Sequence, residues 1–142
     1  MPITPRSILA LDVGTRRIGI AVASREAALA QPLTALIQGE EFFRTLEQLI
    51  KKENVDTLVV GLPRGLDGQT TDQTRSVQDF TRDLRKHFKD ITVYLQDEAV
   101  TSKQAEAELE ARGKPYARGD VDALAATYIL EDWLAGQHKV AG

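Results

Sequence analysis

The stretch that decides the fold is Ile8-Leu-Ala-Leu-Asp-Val-Gly-Thr-Arg-Arg-Ile-Gly-Ile-Ala-Val-Ala23. Two apolar runs flank a short break at Val13-Gly-Thr-Arg16, and such a break suits a tight turn between strands. The pattern predicts two strands joined as a hairpin. It also places Asp12 at the carboxyl end of the first strand.

Outward from this hairpin, the apolar pattern predicts three more strands. A weak one lies in Ala27–Leu36, where Pro32 favours an edge position. Thr57-Leu-Val-Val-Gly61 is a continuous apolar run typical of a strand buried on both faces, and Ile91-Thr-Val-Tyr-Leu95 is the last strand. Apolar residues at helical spacing predict helices over residues 40–53, 71–89, 101–111 and 120–135, the third opened by a capping box at Thr101 and Gln104.

The order of these elements predicts an α/β fold. Short turns join antiparallel strands, whereas helical crossovers join parallel ones, so strands two and three form hairpins and strands four and five run parallel to strand one. We expect a mixed five-stranded sheet, in the order 3-2-1-4-5 and flanked by helices, as one domain over residues 1–142. In open sheets of this kind, ligands sit beyond the carboxyl ends of the parallel strands.

Composition narrows the possible functions. The chain has 142 residues, 42% of them hydrophobic and 27% charged, which is typical of a soluble globular domain. No run approaches the roughly 20 apolar residues of a membrane helix, and no secretory signal opens the sequence, so we expect a cytoplasmic protein without membrane contact. With no cysteine and two histidines, any metal would have oxygen ligands. The net charge of −3 means that nucleic-acid binding would depend on local clusters of positive charge.

Three carboxylates follow predicted element ends. Asp12 ends the first strand, Glu98 comes three residues after the last strand, and Asp122 lies in the first turn of the last helix. Because neighbouring strands are about 4.8 Å apart, these side chains can converge on one pocket. Carboxylate oxygens suit Mg²⁺ or Mn²⁺, and paired ions stabilise the attacking and leaving oxygens of a phosphodiester.

Each carboxylate also has an ordinary structural explanation. Asp12 can end its strand through a side-chain turn, and Glu98 can be a solvated loop acid, with Asp97 beside it as a rival ligand. Asp120 suits the N-cap of the last helix, and Asp122 can simply complement the helix dipole. Their shared position at ends that the topology brings together favours the functional interpretation.

Positive charge collects around the same predicted edge. Arg and Lys side chains that contact phosphate supply affinity without reading sequence, and an aromatic ring in a loop can stack on a base. An exposed loop tyrosine is more often incidental, and the alternating charges of the second helix are typical of a solvated surface. The predicted nucleic-acid contacts are Arg16, Arg17, Arg64, Lys114, Tyr116 and Arg118.

The quoted hairpin closely resembles the first hairpin of the YqgF/RuvX family of RNase H-like nucleases. Three further blocks resemble that family's motifs, in its order, so the resemblance spans nearly the whole chain. The blocks are Val59-Val-Gly-Leu-Pro63 with Asp67-Gly68, Asp97-Glu98 before a Ser/Thr-led helix, and Val121-Asp122-Ala-Leu-Ala-Ala126.

This resemblance implies an RNase H-like fold and an endonuclease that depends on Mg²⁺ or Mn²⁺. Asp12, Glu98 and Asp122 match the family's acidic positions, as catalytic residues and metal ligands. Members are linked to maturation of the 5′ end of 16S ribosomal RNA, and some are described as Holliday-junction resolvases. The implied substrate is therefore precursor rRNA or a four-way DNA junction, and two symmetric cuts in a junction would require a homodimer.

One departure concerns the second acid. RuvC-type resolvases carry a glutamate at the end of the fourth strand, where this chain has Val60-Gly61-Leu62-Pro63. If strand four lies between strands one and five, Glu98 must reach across two strand spacings, or about 10 Å.

Besides the nuclease, two other classes of function stay open: a phosphate-binding domain of the kinase type and a non-catalytic binding module. Asp-Val-Gly-Thr at a hairpin also resembles the first phosphate-binding turn of actin-like ATPases and sugar kinases, which bind nucleotide between two domains of this type. ATP binding without nucleic-acid cleavage would favour that class. The third alternative is a non-catalytic module that binds RNA or protein. Metal-independent binding, unchanged by Asp12→Asn, would favour it.

Overall fold

The computed structural model describes residues 5–98 and 102–141. The predicted sheet order is confirmed, as β3-β2-β1-β4-β5. β1 pairs antiparallel with β2 and parallel with β4, while β3 and β5 form the edges. The strands are β1 Ser7–Val13, β2 Arg17–Ser24, β3 Gln31–Ile37, β4 Val55–Pro63 and β5 Thr92–Glu98. The helices are α1 Phe42–Lys52, α2 Asp72–His87, α3 Ser102–Arg112 and α4 Arg118–Ala141, with a 3-10 turn at Leu66–Gly68.

Helices cover both faces of the sheet, and the alternation of side chains along β1 shows which face each helix covers. Leu9 and Leu11 belong to the core beneath α1 and α2, whereas Ile8 and Ala10 pack with residues of α4. Since successive side chains point to opposite faces, Asp12 continues the face that α4 covers. The carboxylate at the end of β1 therefore lies on the α4 side of the sheet.

The first turn of α4 lies directly on β2. Gly19 of β2 pairs in register with Asp12, and a Cβ atom at position 19 would lie 2.0 Å from the carbonyl oxygen of Asp122. Only a residue without a side chain allows this approach. Gly19 therefore sets the height of Asp122 above the end of β1.

The predicted boundaries of two elements, α4 and β3, are wrong in the structure. α4 begins at Arg118 instead of residue 120 and extends beyond residue 135. The carboxylate of Asp120 accepts a hydrogen bond from the Ala117 N–H at 2.8 Å, so it satisfies a free donor from within the first turn. β3 begins at Gln31, since residues 25–27 form a turn after β2.

Other expectations are confirmed or lie outside the structure. Pro32 lies in an edge strand, as expected. The capping residue expected at Thr101 lies outside the described residues. Among the described helices, none has the length and apolar character needed to cross a bilayer.

Replacing Gly19 by alanine should destabilise the protein by about 3 kcal/mol, because α4 must move to admit the new methyl group. Urea denaturation measures this loss. Gly136 of α4 is a matched control, since a Cβ atom there meets nothing within 4 Å. Gly136→Ala should instead stabilise the protein by about 1 kcal/mol. Equal stability of Gly19→Ala and wild type would contradict the close approach.

Candidate active site

The structure places the three predicted carboxylates on one side of the sheet. Asp12 is the sixth residue of β1, Glu98 is the last residue of β5, and Asp122 lies in the first turns of α4. The register aligns Leu11 with Val60 and Val60 with Leu95. Glu98 therefore lies two residues, or about 7 Å along the strand direction, beyond the level of Asp12.

Gly61 of β4 explains how Glu98 faces Asp12 across an intervening strand. A Cβ atom on Gly61 would lie 3.6 Å from Cγ of Glu98 and 2.4 Å from Cδ1 of Ile129 in α4. Ile129 therefore fills the space above Gly61, and the Glu98 side chain lies beside it, in van der Waals contact with this position. Glu98 thus extends from β5 towards the end of β4.

The electrostatics of the site are those of crowded, poorly solvated negative charge. Burial raises the pKa of Asp12 to about 6, and the neighbouring charge of Asp122 contributes. Burial also raises the pKa of Glu98 to about 8, with further contributions from a hydrogen bond to Asp132 and from the charges of Asp132 and Asp12. Asp12 thus interacts with both of the other predicted ligands.

One oxygen of this group has no hydrogen-bond partner within the described residues. Oε1 of Glu98 is buried and unpaired, which is a costly state for a carboxylate oxygen. A divalent cation would satisfy it and would offset the repulsion between the acids. A donor set made only of carboxylate oxygens has the chemistry that Mg²⁺ and Mn²⁺ select. The residues present therefore fit such an ion.

Asp122 is engaged elsewhere in this arrangement. Its Oδ2 accepts a hydrogen bond from Nε of Arg17 at 2.6 Å, in an ion pair whose side chains are 31% and 23% exposed. Within the described ranges, no three acidic or histidine side chains lie close enough to hold one ion. Binding of a cation by all three predicted ligands would require Asp122 to exchange its guanidinium partner for the ion.

Most of the predicted nucleic-acid contacts have partners within the protein. Arg64 donates a hydrogen bond to Asp97 at 3.3 Å. Asp97, the alternative to Glu98 as a metal ligand, is thus exposed and paired with an arginine. Arg118 pairs with Glu106, and the hydroxyl of Tyr116 donates to Glu110. Arg17 pairs with Asp122, as described above. Two of the six predicted residues have no side-chain partner in the part of the chain that the structure describes: Arg16 and Lys114.

Sequence reasoning missed Asp132. It lies in α4, and its carboxyl group is in hydrogen-bonding contact with Glu98. The sequence signal for this contact is weak, because Glu131-Asp132 reads as an exposed acidic pair on a surface helix. Only the diagonal path of α4, from β2 and β3 at its start towards β5, brings residue 132 to the end of β5.

Comparison with known proteins gives consistent matches across the chain. A family model described as "RuvX: Holliday junction resolvase" matches residues 6–136. A "Putative pre-16S rRNA nuclease" of Sodalis glossinidius is 39% identical over 132 residues, covering 90% of this chain and 93% of the relative. The relative of the same name from Sulfurihydrogenibium is 35% identical over 128 residues, covering 89% and 88%.

Solved structures extend the likeness in fold. Thermus thermophilus RuvC, solved in complex with a Holliday junction substrate, is 15% identical with a TM-score of 0.55, covering 93% of this chain and 96% of that one. The fowlpox virus Holliday junction resolvase is 10% identical with a TM-score of 0.53, covering 92% and 99%. At such low identity these matches show the fold alone, and that fold is the RNase H-like one expected from the sequence.

The raised pKa of Asp12 predicts a pH dependence of stability. A carboxyl group whose pKa is higher in the folded chain than its usual value near 4 favours folding only while it is protonated. The free energy of unfolding of the wild type should therefore fall as pH rises from about 4 to about 6. Asp12→Asn should show a shallower fall over this interval and should be up to about 3 kcal/mol more stable than wild type at pH 8 without divalent ions.

Urea denaturation across this pH range measures the difference. Glu98, whose pKa is raised from 4.5 to about 8, lowers the stability of both proteins across this interval, so Asp12 is measured by the difference between the two curves, which should grow up to about pH 6. Added Mn²⁺ at pH 8 should stabilise the wild type more than the variant. Parallel curves for the two proteins would show that Asp12 is not desolvated in the folded chain.

Proposed function

This chain belongs to the RuvX family, and from that premise we propose that it is a divalent-metal-dependent endonuclease that hydrolyses phosphodiester bonds of structured nucleic acid. One observation carries the proposal: the desolvated carboxylates of Asp12 and Glu98 face each other across Gly61, beside Asp122. Precursor 16S rRNA, which the curated relatives' names specify, is the first substrate to test. We expect the protein to act in the cytoplasm.

The proposed catalytic residues are Asp12, Glu98 and Asp122, which would hold Mg²⁺ or Mn²⁺. When bound, such ions supply charge stabilisation to the phosphodiester and activate the attacking water. Asp12 and Glu98 contribute oxygens that are already stripped of solvent, so little water has to be removed before they bind a cation. Asp132 lies beside Glu98, and the hydrogen bond between them requires Glu98 to be protonated, so Glu98 gives up this contact when it binds a cation.

Arginine and lysine side chains beside the carboxylates would bind the phosphates that flank the cut. Arg17 is placed to change partners, from Asp122 in the metal-free protein to a substrate phosphate once Asp122 binds an ion. Arg16 and Lys114 have no side-chain partner to give up within the described residues. Each of the ion pairs of Arg64 and Arg118 has one well-exposed member, Asp97 at 70% and Arg118 at 68%, so exchanging these pairs for phosphate costs little.

A four-way DNA junction is the second candidate substrate, favoured by the description of the matching family model. Resolution of a junction needs two symmetric cuts and therefore a two-fold homodimer. Cleavage of a four-way junction and of a precursor 16S fragment, compared in Mg²⁺ and in Mn²⁺, separates the two substrates. Sedimentation of the same samples tests the dimer.

The turn at Val13-Gly14-Thr15 argues against a nucleotide-phosphate site of the kinase type. This turn borders a cleft of about 730 Å³ whose opposite wall carries Asp72, Asp79 and Asp83 of α2. Asp72 and Asp79 pair with Arg75 and Arg82 of the same helix, and the lining that the structure describes includes no arginine or lysine to bind the phosphates of a nucleotide. A non-catalytic binding module is the remaining alternative, and the next experiment tests it.

Asp12→Asn and Asp122→Asn should each abolish cleavage of the precursor 16S fragment while leaving its binding largely intact. Each substitution removes an ion ligand and leaves the flanking phosphate contacts in place. Gel-based cleavage and mobility-shift assays measure the two properties separately. Asp56→Asn is the matched control, since Asp56 pairs with Arg25 at the opposite end of the sheet. Wild-type cleavage by Asp12→Asn would refute the proposed site.

Arg17→Gln should raise the affinity for Mn²⁺ by up to about fivefold, because Asp122 no longer has to release a guanidinium. The same variant should bind nucleic acid more weakly, since it lacks a phosphate contact. Free Mn²⁺ measured by electron paramagnetic resonance gives the metal affinity without any cleavage assay. Arg25→Gln, which breaks the ion pair with Asp56, should change neither property. A fall in Mn²⁺ affinity for Arg17→Gln would contradict the exchange of partners.

A further inference from the structure

A pocket of about 570 Å³ lies between the edge strand β3 and the loop at residues 113–117 that joins α3 to α4. This volume is within the usual range of small-molecule binding sites. Apolar side chains from β3, α3 and α4 line part of it. The polar and aromatic part of the lining includes Arg112, Lys114 and Tyr116.

The pocket adjoins the carboxylates through the first turns of α4. Gly119, Asp120 and Ala123 line it, and Asp122 lies in the same helical segment. With a rise of 1.5 Å per residue, all four residues lie within about 6 Å along the helix axis. A nucleic-acid strand advances by about 3.4 Å per nucleotide in a duplex. A strand with one phosphate at the carboxylates therefore brings a nucleotide a few positions away to the pocket.

Tyr116 offers this pocket a fixed aromatic surface. Its ring is half-buried and packs on the apolar cluster that joins α3 to α4, which includes Leu109 and Leu124. Its hydroxyl donates a hydrogen bond to Glu110. Because the ring is already held in place, a ligand that stacks on it pays little of the entropy of ordering it. Aromatic rings stack with any of the bases, since every base has a π-face.

Cations and acids both surround this ring: Lys114 and Arg112 lie in the lining with Asp120, and Glu110 accepts the hydrogen bond of Tyr116. Lys114 is exposed and has no side-chain partner among the described residues. Arg112 pairs with Glu108 one helical turn away, in a pair whose side chains are 53% and 42% exposed, and such pairs contribute little stability. The acid in the lining, Asp120, already accepts a hydrogen bond from the Ala117 N–H. A flat aromatic ring with two available cations suits a base and its adjoining phosphates.

We propose that this pocket binds one unpaired base of the substrate strand, next to the cleavage site. The base stacks on Tyr116, and Lys114 and Arg112 contact the adjoining phosphates. A base inside a duplex is paired and stacked, so it would first have to be flipped out at a cost in energy. The pocket therefore selects substrates that are single-stranded or distorted beside the cut, in RNA or in DNA. This inference rests on the proposed nuclease function.

The test measures binding in an Asp12→Asn background, so that no substrate is cut. Fluorescence anisotropy follows short labelled single strands of RNA and of DNA, and duplexes of the same sequence. Tyr116→Leu should weaken single-strand binding about tenfold, and Tyr116→Phe, which keeps the ring, should stay near the parent. Lys114→Gln should also weaken it and should lower the salt dependence by about one phosphate contact. Duplex binding should change little with Tyr116→Leu.

Two matched controls lie in or beside β5, at the edge of the sheet opposite to β3. Tyr94→Leu removes an exposed ring from β5, and Lys89→Gln removes an exposed charge from the turn before β5. Neither should weaken single-strand binding. Thermal unfolding checks that Tyr116→Leu is folded, and the exposed Lys114 provides a variant that does not disturb the core. Weakening with RNA alone, or with RNA and DNA alike, supports the pocket and identifies the strand it accepts.

Two results would overturn the pocket. One is single-strand binding by Tyr116→Leu and Lys114→Gln that equals binding by Tyr94→Leu and Lys89→Gln. The other is an equal loss of single-strand and duplex binding. If either occurs while the wild type cleaves, the pocket fails and the nuclease function stands. If the pocket variants lose binding but the wild type does not cleave in Mg²⁺ or Mn²⁺, the nuclease function fails and the pocket stands.

Discussion

The contact between the first turns of α4 and Gly19 of β2 is the constraint on which the rest of the site depends. It brings the backbone of Asp122 onto the residue that pairs with Asp12. Two carboxylates are thereby held near each other in a place that water reaches poorly, which raises the pKa of Asp12. The same contact draws Arg17 to Asp122 and sets the wall that α4 contributes to the pocket beside β3.

The distribution of charge follows from this arrangement. A net charge of −3 gives no general attraction for a polyanion, yet the negative groups of the site are concentrated at the end of the sheet. The cations lie on the hairpin turn and on the segment around the start of α4, in exposed positions or in weak pairs. In the proposed function, the groups that would bind phosphate and the groups that would bind divalent cations therefore occupy neighbouring places.

Most of the fold could be predicted from the sequence, and less of the site. The strand order and the edge position of β3 follow from apolar alternation, Pro32 and the lengths of the connections, which are local properties. The positions of Asp12 and Asp122 follow from where their elements end or begin. The partners of these side chains do not follow, because the Arg17 pair and the contact of Asp132 with Glu98 join residues far apart in the chain. The sequence predicts the start of α4 too late, because Asp120 looks like an N-cap but instead binds the N–H group of Ala117 from inside the helix.

The bare backbone at Gly61 has a consequence for how such sites diverge. An acid on the fourth strand and an acid on the fifth strand can serve the same place in space, provided that the position left vacant carries no side chain. Two homologous chains can then keep one function although the carboxylate comes from positions that a sequence alignment does not match. Chains of this fold are therefore better compared by superposing their carboxylate oxygens than by aligning their sequences.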